Sequence, residues 1–567
     1  MNYLENYEFW CNADLPAEVK QELAAIKNND EELKGRFGSD LQFGTAGMRG
    51  IMGAGSNRLN NYTVRRAAQG MAAWLASTDL PQKAAIGYDS RHNSKEFAQV
   101  CAVAFAEKGI HTWLYNRLAP TPMLSYAVRE LGCGCGIVIS ASHNAGAYNG
   151  VKCYGPDGCQ MTDAPAAIVT EKISQIPYFV PEAQSFSDYL EDGMISYIEQ
   201  KVWEKYYNTV LAESISPEII KSASLNIVYT PLCGTGNEPV REILSRLGVN
   251  ITVVSCQENP DGYFKTCEYP NPETDAALAE SYKVADSVLC DVILGTDPDA
   301  DRVAIAVPNG ENGYQKLSGN ELGCLLMDYI LKARSAKKDI PEGSIVVRSI
   351  VSSPLADRIC EHYGVEMRAV LTGFKYIGGE ILELEQKGEE NKFIFGFEES
   401  CGYLKGTYAR DKDAVVASML VCELAAALKM EGKTILDALR DLYATYGYYL
   451  AKVQSVELTG ADAMEKAAKM MADLRLNAPK AIGGADITEI RDYGSGEAKD
   501  LPTGKTSVIN LPKSNVLEFV LGEKGSVIVR PSGTEPKVKF YYTAVGATED
   551  AAQELLTKMI EQMSFFF

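Results

Sequence analysis

Apolar and polar positions along this chain fall into blocks whose period switches repeatedly between strand-like and helix-like. From Lys83 the order is "KAAIGYD", the amphipathic "SKEFAQVCAVAFAEKG", "IHTWLYN", "MLSYAVRELG" and "CGIVIS". Short apolar runs separated by helical segments predict a β-α-β-α-β unit with a largely parallel sheet covered by helices. The pattern restarts at "LNIVYTP", passes through "NEPVREILSRLG" and "NITVVS", and reaches "DVILGTDPDADRVAIAV". A third round begins at "SIVVRSI", continues through "SPLADRICEHYG" and leads to "KFIFGFEESCGY". After Leu450 the blocks change: a helix-like "DAMEKAAKMMADLR", the strand-like "VLEFVLG", "GSVIVRPSG" and "VKFYYTAV", and a closing helix, "TEDAAQELLTKMIEQM". This predicts a smaller α+β domain with an antiparallel sheet.

The expected fold class is therefore α/β, with three related units of mixed-sheet βαβ type in series and a C-terminal α+β domain. The bounds expected from the pattern are 1–205, 206–315, 316–450 and 451–567. A chain of 567 residues is too long for one core and suits several domains of about 100 to 200 residues each.

Composition narrows the possible functions. With 46% hydrophobic and 23% charged residues the chain reads as soluble and globular. The opening "MNYLENYEFW" lacks a basic region followed by an apolar one, and no apolar run is long enough to cross a bilayer. A cytoplasmic protein without membrane association is expected. Fourteen cysteines are scattered, with "CGC" at 133 to 135 the only tight pair, so neither a zinc site nor a disulfide framework is signalled. Most of them read as small core residues in a reducing compartment. The net charge of −20 repels nucleic acid, and any anionic ligand must be held by a local basic cluster. No feature sets an oligomeric state.

Catalytic residues in open α/β sheets sit at the carboxyl ends of strands, and each unit here ends a strand in an unusual polar loop. In "GTDPDADR", Asp297, Asp299 and Asp301 alternate with Pro298 and Ala300, so a curved loop could turn three carboxylates towards one hard cation such as Mg²⁺ or Ca²⁺. The alternative is an acidic turn with helix-capping aspartates. In "SASHNAGAYNGVKCY", Ser142 reads either as a turn residue or as a nucleophile. His143 is adjacent in sequence, which does not make a serine-histidine triad. Lys152, ten residues after the serine, is either a surface lysine on a strand or a proton shuttle and phosphate partner.

"GFEES" offers two carboxylates beside a hydroxyl, suited to vicinal sugar hydroxyls, or is a solvated turn. "RPSGTEPKVK" combines guanidinium, hydroxyls and a glycine, as a phosphate site does, or is a turn between strands. Arg49 in "GTAGMRG", Lys375 in "LTGFKYIGG", and Arg410 with Lys412 in "YARDKDA" place cations beside glycines or hydroxyls in further loops. Against a negative chain this favours one anionic ligand shared by all domains. A metal site, a nucleophile, a polyol-binding turn and a phosphate clamp together describe phosphoryl transfer on a sugar phosphate.

The ordered set "GTAGMRG", "SASHNAGAYNGVKCY", "GTDPDADR", "LTGFKYIGG", "FGFEESCGY", "DKDA" and "RPSGTEPK" resembles the α-D-phosphohexomutase superfamily, in particular its phosphoglucomutase/phosphomannomutase members. The motifs run from Gly44 to Lys537 in the family's order. The resemblance implies a heart-shaped, four-domain enzyme whose Ser142 carries a phosphoryl group. Asp297, Asp299 and Asp301 then hold Mg²⁺ together with a phosphoserine oxygen. It implies catalytic positions at Ser142, Lys152, Arg49 and His143, with Lys152 in proton transfer. Substrate-binding positions follow at Arg302, Thr372, Gly373, Lys375, Glu398, Ser400, Arg410 and Lys412, and the distal phosphate falls to Arg530, Ser532, Gly533 and Thr534. Two departures are Ala145, where the family often has proline, and Ala414, where some members have glycine. Neither removes a reacting group.

The activity implied is interconversion of glucose 1-phosphate and glucose 6-phosphate, with mannose phosphates as further substrates. It runs through a phosphoserine enzyme and a bound hexose 1,6-bisphosphate, and glucose 1,6-bisphosphate is the expected activator. Glucose 1,6-bisphosphate synthase or phosphopentomutase activity uses the same nucleophile, metal and clamp. A non-catalytic sugar-phosphate sensor is the alternative from another class.

Overall fold

Every residue of Cys135–Ile139, Val292–Thr296, Ile345–Ser349 and Phe393–Glu398 is buried, as expected where an apolar run becomes a strand covered on both faces. The computed structural model describes residues 2–44, 47–311, 313–458, 463–532 and 537–566. The chain divides into two compact units. One comprises Met1–Ser318, Gly378–Phe393 and Ser400–Gly432, the other Gly319–Ile377, Ile394–Glu399 and Lys433–Phe567.

The first unit holds two mixed sheets. In the six-stranded sheet the order is Gly47–Ile51, Tyr148–Tyr154, Cys135–Ile139, Lys83–Tyr88, His111–Leu114 and Ile195–Tyr197. The last four of these pair in parallel, as the β-α-β-α-β reading requires, while the first two run antiparallel. Helices Asn61–Leu75, Ser94–Ala106 and Thr121–Glu130 cover this sheet, the first of them started by a capping box between Asn60 and Thr63. The five-stranded sheet runs Tyr314–Lys316, Val303–Pro308, Val292–Thr296, Asn226–Thr230, Asn250–Val253, with a parallel core and two antiparallel strands at one side.

The second unit repeats the parallel pairing between Ile345–Ser349 and Glu366–Val370, with helix Leu355–Tyr363 as the crossover. It ends in a seven-stranded antiparallel sheet on which helices Ala463–Leu476 and Glu549–Met563 pack. The antiparallel α+β character expected of the C-terminal part is what the pairing shows. All three internal bounds fall inside elements: residues 205 and 206 lie within helix Gln200–Ala212, 315 and 316 within strand Tyr314–Lys316, and 450 and 451 within strand Tyr448–Glu457.

The first forty residues carry no clear strand or helix period in the sequence. They form helices Tyr3–Cys11, Ala17–Ile26 and Asp30–Phe37 around a small core of Trp10, Leu23, Ile26, Leu33 and Phe37. Glu22 and Arg36 from these helices hold the turn after Gly47–Ile51. Ala54 N–H donates to Glu22 at 3.1 Å, and Arg36 donates to the Ala54 carbonyl at 3.2 Å. All fourteen cysteines carry free thiols, and among the described residues no helix is long and apolar enough to cross a membrane.

Candidate active site

Strand Cys135–Ile139 delivers the chain to Ser142, and the return strand Tyr148–Tyr154 brings Lys152 back opposite Val138. Ser142 is buried and has a φ of 52°, a left-handed conformation that residues with a side chain seldom adopt. Its N–H donates to Ser140 Oγ at 2.8 Å. Its hydroxyl donates to Asp297 Oδ2 at 2.7 Å and lies 3.2 Å from His143 Nδ1. Burial, followed by the charges of Arg302 and Arg49, pushes the His143 imidazole well below its usual range. Arg49 sits on Gly47–Ile51, opposite Gly150, and donates to Asn144 Oδ1 at 3.2 Å. Gly47 makes that strand's approach possible: at φ 126° a Cβ there would lie 1.8 Å from the Val151 carbonyl oxygen.

The carboxylate loop joins Val292–Thr296 to Val303–Pro308. Backbone N–H groups from three separate segments pin it: Thr235 to the Pro298 carbonyl (2.8 Å), Thr121 to that of Asp299 (2.9 Å) and Ala414 to that of Ala300 (3.2 Å). Gly234 lets the first of these come close, since a Cβ there would stand 2.4 Å from Pro298 Cα. Asp297 Oδ1 accepts the N–H groups of Asp301 (3.1 Å) and Arg302 (3.0 Å), which curls the loop on itself.

All three aspartates are buried, and each offers an oxygen within 4.8 Å of the others. Lys152 Nζ donates to Asp299 Oδ2 (2.5 Å) and Asp301 Oδ2 (3.1 Å), and Lys412 Nζ lies 2.8 Å from Asp301 Oδ2. Thr121 Oγ donates to Asp299 Oδ2 at 2.9 Å. Burial and the charges of Asp301 and Asp299 push the Asp297 carboxyl well up. Burial would raise Asp299 too, but Lys152 holds it below the usual carboxylate range. Lys152 answers with a raised pKa, the two carboxylates outweighing burial.

Asp299 Oδ1 and Asp301 Oδ1 are buried without a hydrogen-bond partner. Such oxygens are costly unless a cation or water takes them, and an all-carboxylate set suits a hard divalent cation. The residues present therefore fit a metal ion.

Other expected positions take different partners. The Arg302 guanidinium pairs with Glu273 at 2.7 Å. Arg410 is buried, and its guanidinium is committed to Glu385 at 2.8 Å and to the Thr407 carbonyl. Ser400 is half-buried at the start of the last segment of the first unit.

The second unit sorts the two carboxylates of "GFEES". Glu398 Oε1 accepts the Gly373 N–H at 2.7 Å, whereas Glu399 Oε2 accepts the hydroxyls of Ser349 (3.0 Å) and Ser352 (3.4 Å). Gly373 has a φ of 121°, and the buried Thr372 hydroxyl beside it has no hydrogen-bond partner. Lys375 Nζ lies 4.9 Å from the centre of the Tyr376 ring. Arg530 stands opposite Lys539 in the C-terminal sheet, and Ser532 N–H donates to the Lys537 carbonyl at 2.8 Å. Gly533 and Thr534 lie outside the described residues.

Four family models match in series: phosphoglucomutase/phosphomannomutase α/β/α domain I over residues 40–178, domain II over 204–310, domain III over 318–446, and the C-terminal domain over 457–562. The chain belongs to the phosphoglucomutase/phosphomannomutase family. A phosphoglucomutase of Staphylococcus epidermidis is 38% identical over 520 residues, 90% of this chain and 92% of that one. One from Staphylococcus aureus is 35% identical over 561 residues, 98% of each. Among solved structures, parafusin, a phosphoglucomutase from Paramecium in an open form, superposes with a TM-score of 0.67 at 16% identity, covering 93% of this chain and 94% of that one.

Proposed function

We propose that this enzyme interconverts glucose 1-phosphate and glucose 6-phosphate, with Ser142 as the phosphoryl carrier and glucose 1,6-bisphosphate as both intermediate and activator. The observation that carries this reading is the Ser142 hydroxyl, held 2.7 Å from Asp297 at the edge of a buried carboxylate trio. A hydroxyl and three carboxylates gathered from two sheets suit phosphoryl transfer better than they suit a turn.

Asp297, Asp299 and Asp301, with an oxygen of phosphorylated Ser142, would hold Mg²⁺. When bound, the cation offsets negative charge on the transferred group. In the first half-reaction the free hydroxyl of the hexose monophosphate attacks phosphorus, the bond to Ser142 Oγ breaks, and the hydroxyl proton passes to Oγ through Lys152. The bisphosphate turns over, and the same steps in reverse return its other phosphoryl group to Ser142. His143 and Arg49 flank the serine, Arg302 and Lys412 supply positive charge around the carboxylates, and Arg410 is assigned with them to the substrate. Thr372, Gly373, Lys375, Glu398 and Ser400 are assigned to sugar hydroxyls, and Arg530, Ser532, Gly533 and Thr534 to the non-reacting phosphate. Fourteen free thiols suit a cytoplasmic setting.

Coupled assays with glucose, mannose, glucosamine and ribose phosphates test the substrate. Glucose phosphates are expected to give the highest kcat/KM, and a preference for ribose phosphates would overturn the assignment. Arg530→Ala is expected to raise KM about ten- to a hundredfold with kcat little changed, because a guanidinium on the non-reacting phosphate binds ground and transition states alike. An unchanged KM would place the phosphate site elsewhere.

A further inference from the structure

One buried side chain, Arg91, holds the loop bearing Ser142 from behind. Its guanidinium donates to the backbone carbonyls of Ser142 (2.6 Å), Ala145 (2.9 Å), Tyr148 (3.0 Å) and Asn144. The Arg91 and Asp89 side chains are both wholly buried, with Arg91 Nε 3.3 Å from Asp89 Oδ2. Asp89 Oδ1 accepts the Arg91 N–H at 2.9 Å and the Ser94 hydroxyl at 2.7 Å, and the Phe264 ring lies 4.9 Å from the guanidinium.

Stability alone gives no reason for this arrangement. Apolar residues of similar size often replace a buried ion pair at no loss. What distinguishes Arg91 is where its donors go: four carbonyls, all between Ser142 and Tyr148. Ser142 itself holds a left-handed φ, a conformation that lasts only where its surroundings impose it. Ala145, where proline would fix one backbone angle, is among the residues so held. A planar fork of donors can meet four diverging carbonyls, and an ammonium cannot. Because Asp89 balances the charge, Arg91 acts through the shape of the loop.

We infer that Arg91, with Asp89 as its counter-charge, is a positioning residue that sets Ser142 for phosphoryl transfer. The inference rests on the reading of Ser142 as the phosphoryl carrier. Arg91→Met removes the fork and keeps a long side chain, and Arg91→Lys keeps the charge. In the full-length protein, Arg91→Met is expected to lower kcat about a hundredfold, the scale of a misplaced reacting group. KM for glucose 1-phosphate should stay within about threefold, and Arg91→Lys should fall between wild type and Arg91→Met. The phosphoserine resonance in phosphorus NMR should shift in Arg91→Met, which loss of stability alone would not cause. If Arg91→Met does not fold, the double variant Asp89→Leu with Arg91→Met, which leaves no buried charge unpaired, takes its place. A folded variant of either kind with kcat within about threefold of wild type and an unshifted resonance overturns the inference. A wild-type protein whose Ser142 takes up no phosphoryl group from glucose 1,6-bisphosphate overturns the reading of Ser142 itself, and that failure shows without any substitution.

Discussion

Ser142→Ala is expected to abolish mutase turnover, lowering kcat by at least about four orders of magnitude, the scale on which removing a nucleophile acts. The substitution is small enough to isolate the chemistry. It removes one hydroxyl whose hydrogen bond goes to Asp297 Oδ2, while Asp297 Oδ1 keeps the two N–H groups that curl the carboxylate loop. Alanine tolerates the left-handed backbone at this position about as well as serine, so the loop survives. Intact mass should show wild type as a mixture of phosphorylated and free forms, with the modification mapping to the peptide around Ser142 and absent from the variant. Dephosphorylated wild type should be inactive on hexose monophosphate until glucose 1,6-bisphosphate recharges it, with a lag that shortens as the bisphosphate rises. Full-rate turnover without bisphosphate, or by Ser142→Ala, would reduce Ser142 to a turn residue.

The strands that present this chemistry were legible because their signal is local. Within them "CGIVI" and "VILG" are apolar throughout, and a run that short, bounded by polar residues, is too short for a helix and reads as a buried strand. The aspartates were legible for a related reason: three carboxylates at alternate positions after such a strand have few other uses. Arg91 was not, although it lies just beyond "KAAIGYD" at the carboxyl end of a strand. Its acceptors are carbonyls more than fifty residues further on, and carbonyls leave no trace in a sequence. Glu398 and Glu399 show the same limit at shorter range. They are adjacent and chemically alike, and only the fold sends one to Gly373 and the other to Ser349 and Ser352. The N-terminal helices escaped because their apolar positions, Trp10, Leu23, Ile26, Leu33 and Phe37, are spread over three short helices and are buried against each other and against Tyr62, Tyr178 and Phe179 from further along the chain.

Asp299→Asn is expected to weaken Mg²⁺ binding and lower kcat about a hundred- to a thousandfold, the range seen when one charge-stabilising group is lost from a transition state. Asp299 is informative because its two oxygens divide the work, as those of Asp301 do. Oδ2 accepts the Thr121 hydroxyl and Lys152, contacts that an amide oxygen can keep. Oδ1 is buried with no hydrogen bond, so it is the oxygen a cation would take. Asparagine turns that position into an N–H₂ group or leaves it a neutral oxygen, and in either case the trio loses one negative charge while Lys152 and Lys412 keep theirs. The cation then meets a less negative site. Excess Mg²⁺ should recover part of the lost rate if the loss is in binding, and titration of kcat against Mg²⁺ separates that share from the loss in the chemical step. Wild-type turnover by Asp299→Asn without added Mg²⁺ would show that the trio, however close its oxygens, is held together by its lysines and serves only to support the fold.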